Sequence, residues 1–458
     1  MTQTRQNLRE ICRQYQALLL REDETTISVA LAATPTAEML EALRFTSQRL
    51  VQIERWPQAR LEQHQQAAGN GAQNVPESIT PLVDHILLHA FQRRASDIHI
   101  EPCSPGMRVR LRIDGVLQPL QTISETQQAA LIARLKILGN LDIAERRLPQ
   151  DGQFTLQLQG EQAAFRLSTL PVRDGEKAVI RLLQSEAQDL ALDKLGMSSV
   201  ALQHYRHALA QPQGLILVTG PTGSGKTFTL YSGLSALNQP GRNLCSVEDP
   251  VEIPLQGVNQ TQINPRAGLD FQRVLRALLR QDPDIIMLGE IRDAESAEIA
   301  VKAAQTGHLV LSTLHTNSTT ETLVRLGQMG IPGYLLASAL RLVIAQRLVR
   351  RLCPHCRAPA EKIANLPAFS EPGALQNWQA VGCDHCFSGY YGRLALFEML
   401  PINSELQAAI ADNASSEALS LLAQRQGLNS LFAEGLHAVH CGETSLAEVY
   451  RVIGVSHG

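Results

Sequence analysis

The sequence predicts an α/β protein in which a parallel sheet is covered by helices on both faces. An α+β domain precedes the sheet, and a small four-cysteine insert follows it. From about Leu195, short wholly apolar segments alternate with helix-like stretches, as strands buried on both faces do. Between residues 79 and 190, apolar and polar residues alternate in runs separated by turns, the mark of half-buried strands. Two Cys-x-x-Cys pairs, Cys353/Cys356 and Cys383/Cys386, lie beyond the apolar strands.

The elements follow in chain order. Residues 1–60 are polar and helix-prone, with Pro35 and Pro57 as interruptions, and predict a small helical module. Residues 61–78 (LEQHQQAAGNGAQNVPES) lack aromatics and read as a flexible linker. The α+β domain, 79–190, opens with apolar residues at helical spacing in ITPLVDHILLHAFQRR. Strands follow in SDIHIEP and MRVRLRIDGVLQPL, then a helix from Glu125 to Leu138 stopped by Gly139 and Asn140, then strands in QFTLQLQG and AAFRLSTLPV. The core, 195–350, has strands at Leu215–Val218, Leu244–Val247, Ile285–Leu288 and Leu309–Leu311. Its apolar segment Ile331–Leu348 carries Arg341 and Arg347 and reads as an amphipathic helix. The metal module spans 351–396, and a helical region with Gly and Asn breaks spans 397–458.

With 458 residues, several domains are expected. Hydrophobic residues make up 44% and charged residues 19%, which suits a water-facing globular chain. The N-terminus has only a short apolar run, Ala17–Leu20, too little for a secretion signal. No stretch reaches the roughly 20 apolar residues of a membrane helix. The chain is therefore expected in the cytoplasm, meeting any membrane through partners. A net charge of −3 and few aromatics argue against a nucleic-acid translocase, which needs basic grooves and stacking platforms.

Gly220-Pro221-Thr222-Gly223-Ser224-Gly225-Lys226-Thr227 follows the strand LILVT and opens a helix. Glycines there let successive N–H groups turn onto phosphates, and the helix N-terminus favours their charge. Lys226 is placed to reach the β- and γ-phosphates of ATP, and the Thr227 hydroxyl to ligate Mg2+. These residues define a RecA-like phosphate-loop domain. The strand in DIIMLGEIRD delivers Glu290 to the carboxyl edge of the sheet, where a carboxylate orients water. Glu248, in the acidic cluster Glu248–Glu252, sits at another strand end, and the two carboxylates can share water and Mg2+ in either division of labour. His308 and His315 bracket LVLST, and either can contact the γ-phosphate.

Taken together, GPTGSGKT, SVEDPVE, LRQDPDIIMLGEIRD and TGHLVLSTLHTN resemble the secretion-ATPase superfamily of type II secretion, type IV pilus assembly and retraction, and DNA uptake. There these stretches are the Walker A, Asp box, Walker B and His box. ASDIHIEP, VRLRIDGVL, RLPQDGQ and FRLSTLPVRDGEKAVIRLL resemble the family's upstream sensory, PAS-like domain. The resemblance spans residues 79 to 400. It implies a homohexamer with ATP clamped between the core and the upstream domain. Arg166 and Arg181, and with them Arg276, Arg280 and Arg292, match positions that close on the phosphates. Arginine suits that task because its forked donors fit phosphoryl oxygens.

The two Cys-x-x-Cys knuckles complete a closed tetrahedral Zn2+ site, structural because no coordination position is left open. The flanking sequence VGCDHCFSGYYGRLALFEMLPI resembles the end of the metal module in assembly-type members; retraction-type motors generally lack it. Leu394-Ala395 replace the commoner Thr-Gly, and Cys245 replaces Ser or Thr. The resemblance implies a motor that acts on an inner-membrane platform protein and, through it, on pilin or pseudopilin subunits. Its alternatives are a retraction or DNA-uptake motor and a nucleotide-binding scaffold without turnover.

Overall fold

A computed structural model describes residues 17–22, 26–31, 35–36, 39–40, 43, 47, 49–55, 79–183, 190–264, 267–363 and 374–454. The expected linker at 61–78 and Cys12 lie outside these residues. The chain divides into two compact units, Met1–His85 and Ile86–Gly458.

In the first unit, β1 (Leu18–Glu22) pairs antiparallel with β2 (Thr26–Leu31), which pairs parallel with β3 (Leu50–Arg55). This sheet corrects the expectation of a helical module. Ile27 and Val29 are β-branched residues two apart, and both are fully buried against Ala17, Leu31, Met39 and Leu43. Helix-prone polar neighbours mask that short period-two signal in the sequence.

The division between units falls within α1 (Ile79–Gln92). After it come β4 (Asp97–Pro102), β5 (Met107–Ile113), β6 (Val116–Ile123), α2 (Glu125–Leu138), β7 (Gln150–Leu158), β8 (Glu161–Val172) and β9 (Gly175–Leu183). The strands form an antiparallel sheet in the order β6-β5-β4-β9-β8-β7. Along β5, Met107, Val109, Leu111 and Ile113 are buried and the intervening arginines face out. Arg108, Arg110 and Lys177 converge on Glu101 at 3.1, 2.7 and 3.2 Å. Burial alone pushes that carboxyl up, but these cations overcome it and hold Glu101 at about 2.

The core consists of α3 (Ser199–Leu209), β10 (Gly214–Thr219), α4 (Lys226–Leu237), β11 (Leu244–Glu248), β12 (Val258–Gln262), α5 (Phe271–Leu278), β13 (Ile285–Leu288), α6 (Ala294–Gln305), β14 (Leu309–Leu314), α7 (Thr319–Gln328), α8 (Gly333–Ala339) and β15 (Leu340–Leu352). Short strands β16 (Ala358–Pro359) and β17 (Trp378–Gln379) follow, then β18 (Tyr390–Pro401) and helices α9 (Ser404–Ala411), α10 (Ser416–Arg425), α11 (Leu431–His440) and α12 (Leu446–Ile453). The sheet runs β12-β11-β13-β14-β10-β15-β18, parallel except for β18. Leu215, Leu217 and Val247 point to one face, under α5 to α10. Ile216, Val218 and Met287 point to the other, under α3 and α4. All four strands expected from the apolar runs are present.

Ile331–Leu348 is not one helix: α8 ends at Ala339, and β15 begins at Leu340. Beside β10, this strand is buried on both faces, and Arg347 is buried with it, so no polar alternation marks it as a strand.

Buried Glu398 of β18 accepts bonds from Thr319 N (2.8 Å), Thr319 Oγ1 (2.6 Å) and Leu431 N (3.3 Å). One carboxylate thus satisfies the first turns of α7 and α11 and complements both helix dipoles. Glu398→Ala leaves those donors orphaned, at a cost of about 2–4 kcal/mol. The expected result is a thermal unfolding midpoint several degrees lower, read by differential scanning fluorimetry.

Candidate active site

The phosphate loop leaves β10, where the strand order reverses direction, the usual ligand crevice of an open parallel sheet. Gly220, Gly223 and Gly225 have φ of 148°, 80° and 89°, conformations that side chains disfavour. Lys226 is buried, and its Nζ donates to Gly220 O (2.7 Å) and Pro221 O (3.1 Å), folding back over the loop. Burial drops its pKa to about 8, with Arg347 lowering it and Glu290 opposing. Ser224 Oγ is buried and has no hydrogen-bond partner among the described residues. Glycine cradle, lysine and unpaired hydroxyl together fit a triphosphate. Thr227, exposed at the start of α4, lies in the same cleft as Asp249 and Glu290, oxygen groups that suit Mg2+.

The two carboxylates differ in surroundings. Glu248, 3% exposed, accepts from the Tyr231 hydroxyl, from Ser246 Oγ at 2.6 Å and from Gln260 Nε2 at 3.1 Å. Its oxygens are spent on the protein. Glu290 is half-buried at the cleft, hydrogen-bonded to Arg292 and 2.9 Å from His315 Nε2. Burial raises its pKa, but the bonds to His315 and Arg292 outweigh this and hold it below the ordinary carboxylate value. Arg292 also reaches Asp249 at 3.5 Å.

The histidines separate clearly. His315 follows the carboxyl end of β14, beside Glu290. His308 stands at the opposite end, its Nδ1 2.9 Å from Ala303 O, roughly 20 Å of strand away. It belongs to the floor of the sheet.

Across the phosphate loop stands the α+β domain, which supplies Arg94, Asp97, Arg112, Asp114 and Arg181 to a cleft of about 1360 Å³. Arg181 Nε donates to Asp97 Oδ1 at 3.0 Å. Arg166 is its cross-strand neighbour and lies outside the cleft lining. Arg276 and Arg280 are exposed on or just past α5, away from the cleft: Arg276 pairs with Glu295, and Arg280 Nη1 donates to Arg276 O at 2.9 Å. The sequence did not point to Arg94, Asp97, Arg112, Arg347, Arg393 or Arg451 as cleft residues. They come from five separate stretches of chain, and only their convergence in space marks them.

In the four-cysteine module the sulfurs of Cys353 and Cys383 are 3.9 Å apart, those of Cys356 and Cys386 3.7 Å, and those of Cys383 and Cys386 3.7 Å. Tetrahedral Zn–S bonds of about 2.3 Å put sulfurs about 3.8 Å apart, so the set fits zinc. Gly382 N–H points at Cys356 Sγ and Cys383 N–H at Cys386 Sγ, both at 3.3 Å, as amides do around a thiolate.

Fold and site define a phosphate-loop ATPase. The chain belongs to the type II/IV secretion system protein family, whose pattern it matches over residues 72–451. It is 55% identical over 455 residues to the protein transport protein HofB homolog of Escherichia coli, covering 98% of this chain and 99% of that one. With the type IV pilus assembly ATPase PilB of Pseudomonas aeruginosa it shares 46% identity, over 85% of this chain and 69% of PilB. The solved pilus retraction motor PilT with bound ADP aligns at 26% identity and a TM-score of 0.53, over 80% of this chain and 95% of PilT. No described helix is long and apolar enough to cross a membrane.

The lowered Lys226 pKa makes nucleotide binding pH-dependent. Phosphates hold the lysine charged, so binding is proton-neutral below about pH 8 and takes up a proton above it. Affinity for Mg·ATPγS is expected to be flat from pH 7 to 8 and to fall above it, by up to tenfold per unit, in equilibrium titrations. Lys226→Arg should flatten the profile.

Proposed function

We propose that the chain is a homohexameric motor that hydrolyses ATP on the cytoplasmic side of the inner membrane. Through a platform membrane protein it drives assembly of pilin or pseudopilin subunits into a type IV pilus or type II secretion pseudopilus. The observation that carries this reading is the cleft: a phosphate loop faces a second domain whose arginines line the opposite wall. A ligand that contacts both domains favours the closed arrangement, and its hydrolysis releases it; that difference in affinity is what produces movement. We read the α+β domain as a PAS-like moving jaw. Working divisions fall at 79–190, 195–350, 351–396 and 397–458.

Within the site, Lys226 binds the β- and γ-phosphates and Glu290 orients the attacking water. Glu248, saturated by Tyr231, Ser246 and Gln260, holds the Asp-box loop in place. His315 and Arg292 keep Glu290 ionised and sit where charge builds on the phosphoryl group. Mg2+ held at Thr227 would neutralise phosphate charge. Cys353, Cys356, Cys383 and Cys386 would hold zinc, which would join the module's two knuckles, a feature that favours assembly over retraction.

Two experiments test this. Lys226→Ala and Glu290→Gln should each lower phosphate release by the purified full chain at least about a hundredfold. A wild-type rate in either sinks the site assignment. Elemental analysis should find one zinc per wild-type chain and a clear loss in Cys353→Ser; equal zinc in both removes the metal assignment.

A further inference from the structure

We propose that the four-cysteine module is coupled to the nucleotide cleft. Its outgoing loop, residues 387–393, is the surface on which the α+β domain closes, so bound metal and bound nucleotide stabilise one another. The proposal rests on the zinc and nucleotide assignments above and adds the link between them.

Three contacts from the α+β domain land on this one loop. The Arg94 guanidinium lies 4.0 Å from the centre of the Tyr391 ring, and that of Arg93 lies 5.4 Å from the Phe387 ring. The Gly392 N–H donates to Asp114 Oδ2 at 3.0 Å. Local geometry aims these groups. Arg94 ends α1 in a left-handed conformation (φ 54°), with Ala95 N bonded to Ala90 O at 2.9 Å, which closes the helix end. Asp114 and Gly115 (φ 48° and 85°) form the two-residue turn between β5 and β6, where Ile113 pairs with Val116. Neither residue is carried on a loose loop.

The receiving loop is anchored at both sides. Cys383 and Cys386 precede it, Cys353 N donates to Gly389 O at 2.9 Å, and Phe387 and Tyr390 exchange backbone bonds of 2.9 Å. On the other side, Tyr390 carries the Arg350 guanidinium on its ring at 3.9 Å and bonds Ser445 Oγ at 2.7 Å. Arg94 and Asp114, on the docking side, and Gly392 and Arg393, on the receiving side, all line the cleft that holds the phosphate loop. A ligand that closes the cleft therefore presses the domain onto this loop. A metal that fixes the knuckles fixes the loop it presses on. Linkage makes the effect reciprocal: zinc tightens nucleotide, and nucleotide slows zinc loss, by the same roughly tenfold order in equilibrium terms.

The test uses purified zinc-loaded full chain. Zinc capture by 4-(2-pyridylazo)resorcinol is timed with and without Mg·ATPγS, at saturation verified by a binding titration. Nucleotide is expected to slow release about threefold or more. Arg94→Ala combined with Tyr391→Ala, both at exposed positions, should keep one zinc per chain, lose the slowing and weaken Mg·ATPγS severalfold. Tyr391→Phe keeps the ring and should keep the slowing. Equal release rates with and without nucleotide in the zinc-loaded wild type would overturn the coupling, as would a double variant that retains the protection. Purified protein without zinc would overturn the metal assignment together with it, so the two failures are told apart by the zinc content.

Discussion

The phosphate loop lies against β15 with no space for a side chain between them. A Cβ on Gly220 would fall 2.7 Å from Ser224 Oγ and closer still to Gln346 O; on Gly225 it would fall 2.8 Å from Gln346 Nε2. Contacts that short do not occur, so loop and strand are locked together only because both positions are glycine. Thr229 Oγ1 adds a 2.7 Å bond to Gln346 Oε1. On the other side of β10, Thr219 Oγ1 lies 2.6 Å from Thr316 Oγ1, just past β14. Both neighbours of the central strand are pinned at its carboxyl end. With that order fixed, Glu290 and His315 fall on one side of the loop. The β15–β18 hairpin, with the metal module between its strands, falls on the other.

Charge is arranged within the same frame. Burial strips Lys226 of part of its hold on its proton, while Glu290, its counter-charge, is kept ionised by His315 and Arg292. The opposed charges of Lys226 and Glu290 line one cleft and are positioned for a triphosphate. Preorganised charge of this kind stabilises a transition state without the cost of reorienting water. Glu248 serves a different end. Three hydrogen bonds, from Tyr231, Ser246 and Gln260, make it a fixed part of the wall.

What the sequence reveals follows from how local each signal is. The glycine-lysine loop, the knuckles and the four strands buried on both faces are written in consecutive residues, and all appear where the residues imply. Arg347 shows the opposite case. Its helical-looking neighbourhood is a strand buried on both faces, a setting in which period two vanishes. His308 and His315 look equivalent on paper, yet the length of β14 puts only His315 at the site. Arg94 and Asp114 are ordinary turn residues in sequence; they gain meaning from loops nearly 300 positions away, and no spacing rule spans that gap. The three N-terminal strands are hidden for a third reason, since a two-residue β-branched signal is too short to outweigh polar helix formers around it.

The β15–β18 hairpin is also tied to the C-terminal helices through a buried carboxylate. Glu448, 1% exposed on α12, accepts from Arg350 N at 3.0 Å, Arg350 Nη2 at 2.9 Å and Arg451 Nε at 2.7 Å. Burial alone raises its pKa, but the arginines overcome it and hold the carboxyl at about 2, so the group is an anion at any physiological pH. A buried anion committed to two arginines cannot slide without losing them, and loss of one partner is costly. Arg451 of the same trio lines the nucleotide cleft, while Arg350 stacks on Tyr390 beside the metal knuckles. Cleft, C-terminal helices and the four-cysteine module are therefore joined by one set of contacts centred on Glu448.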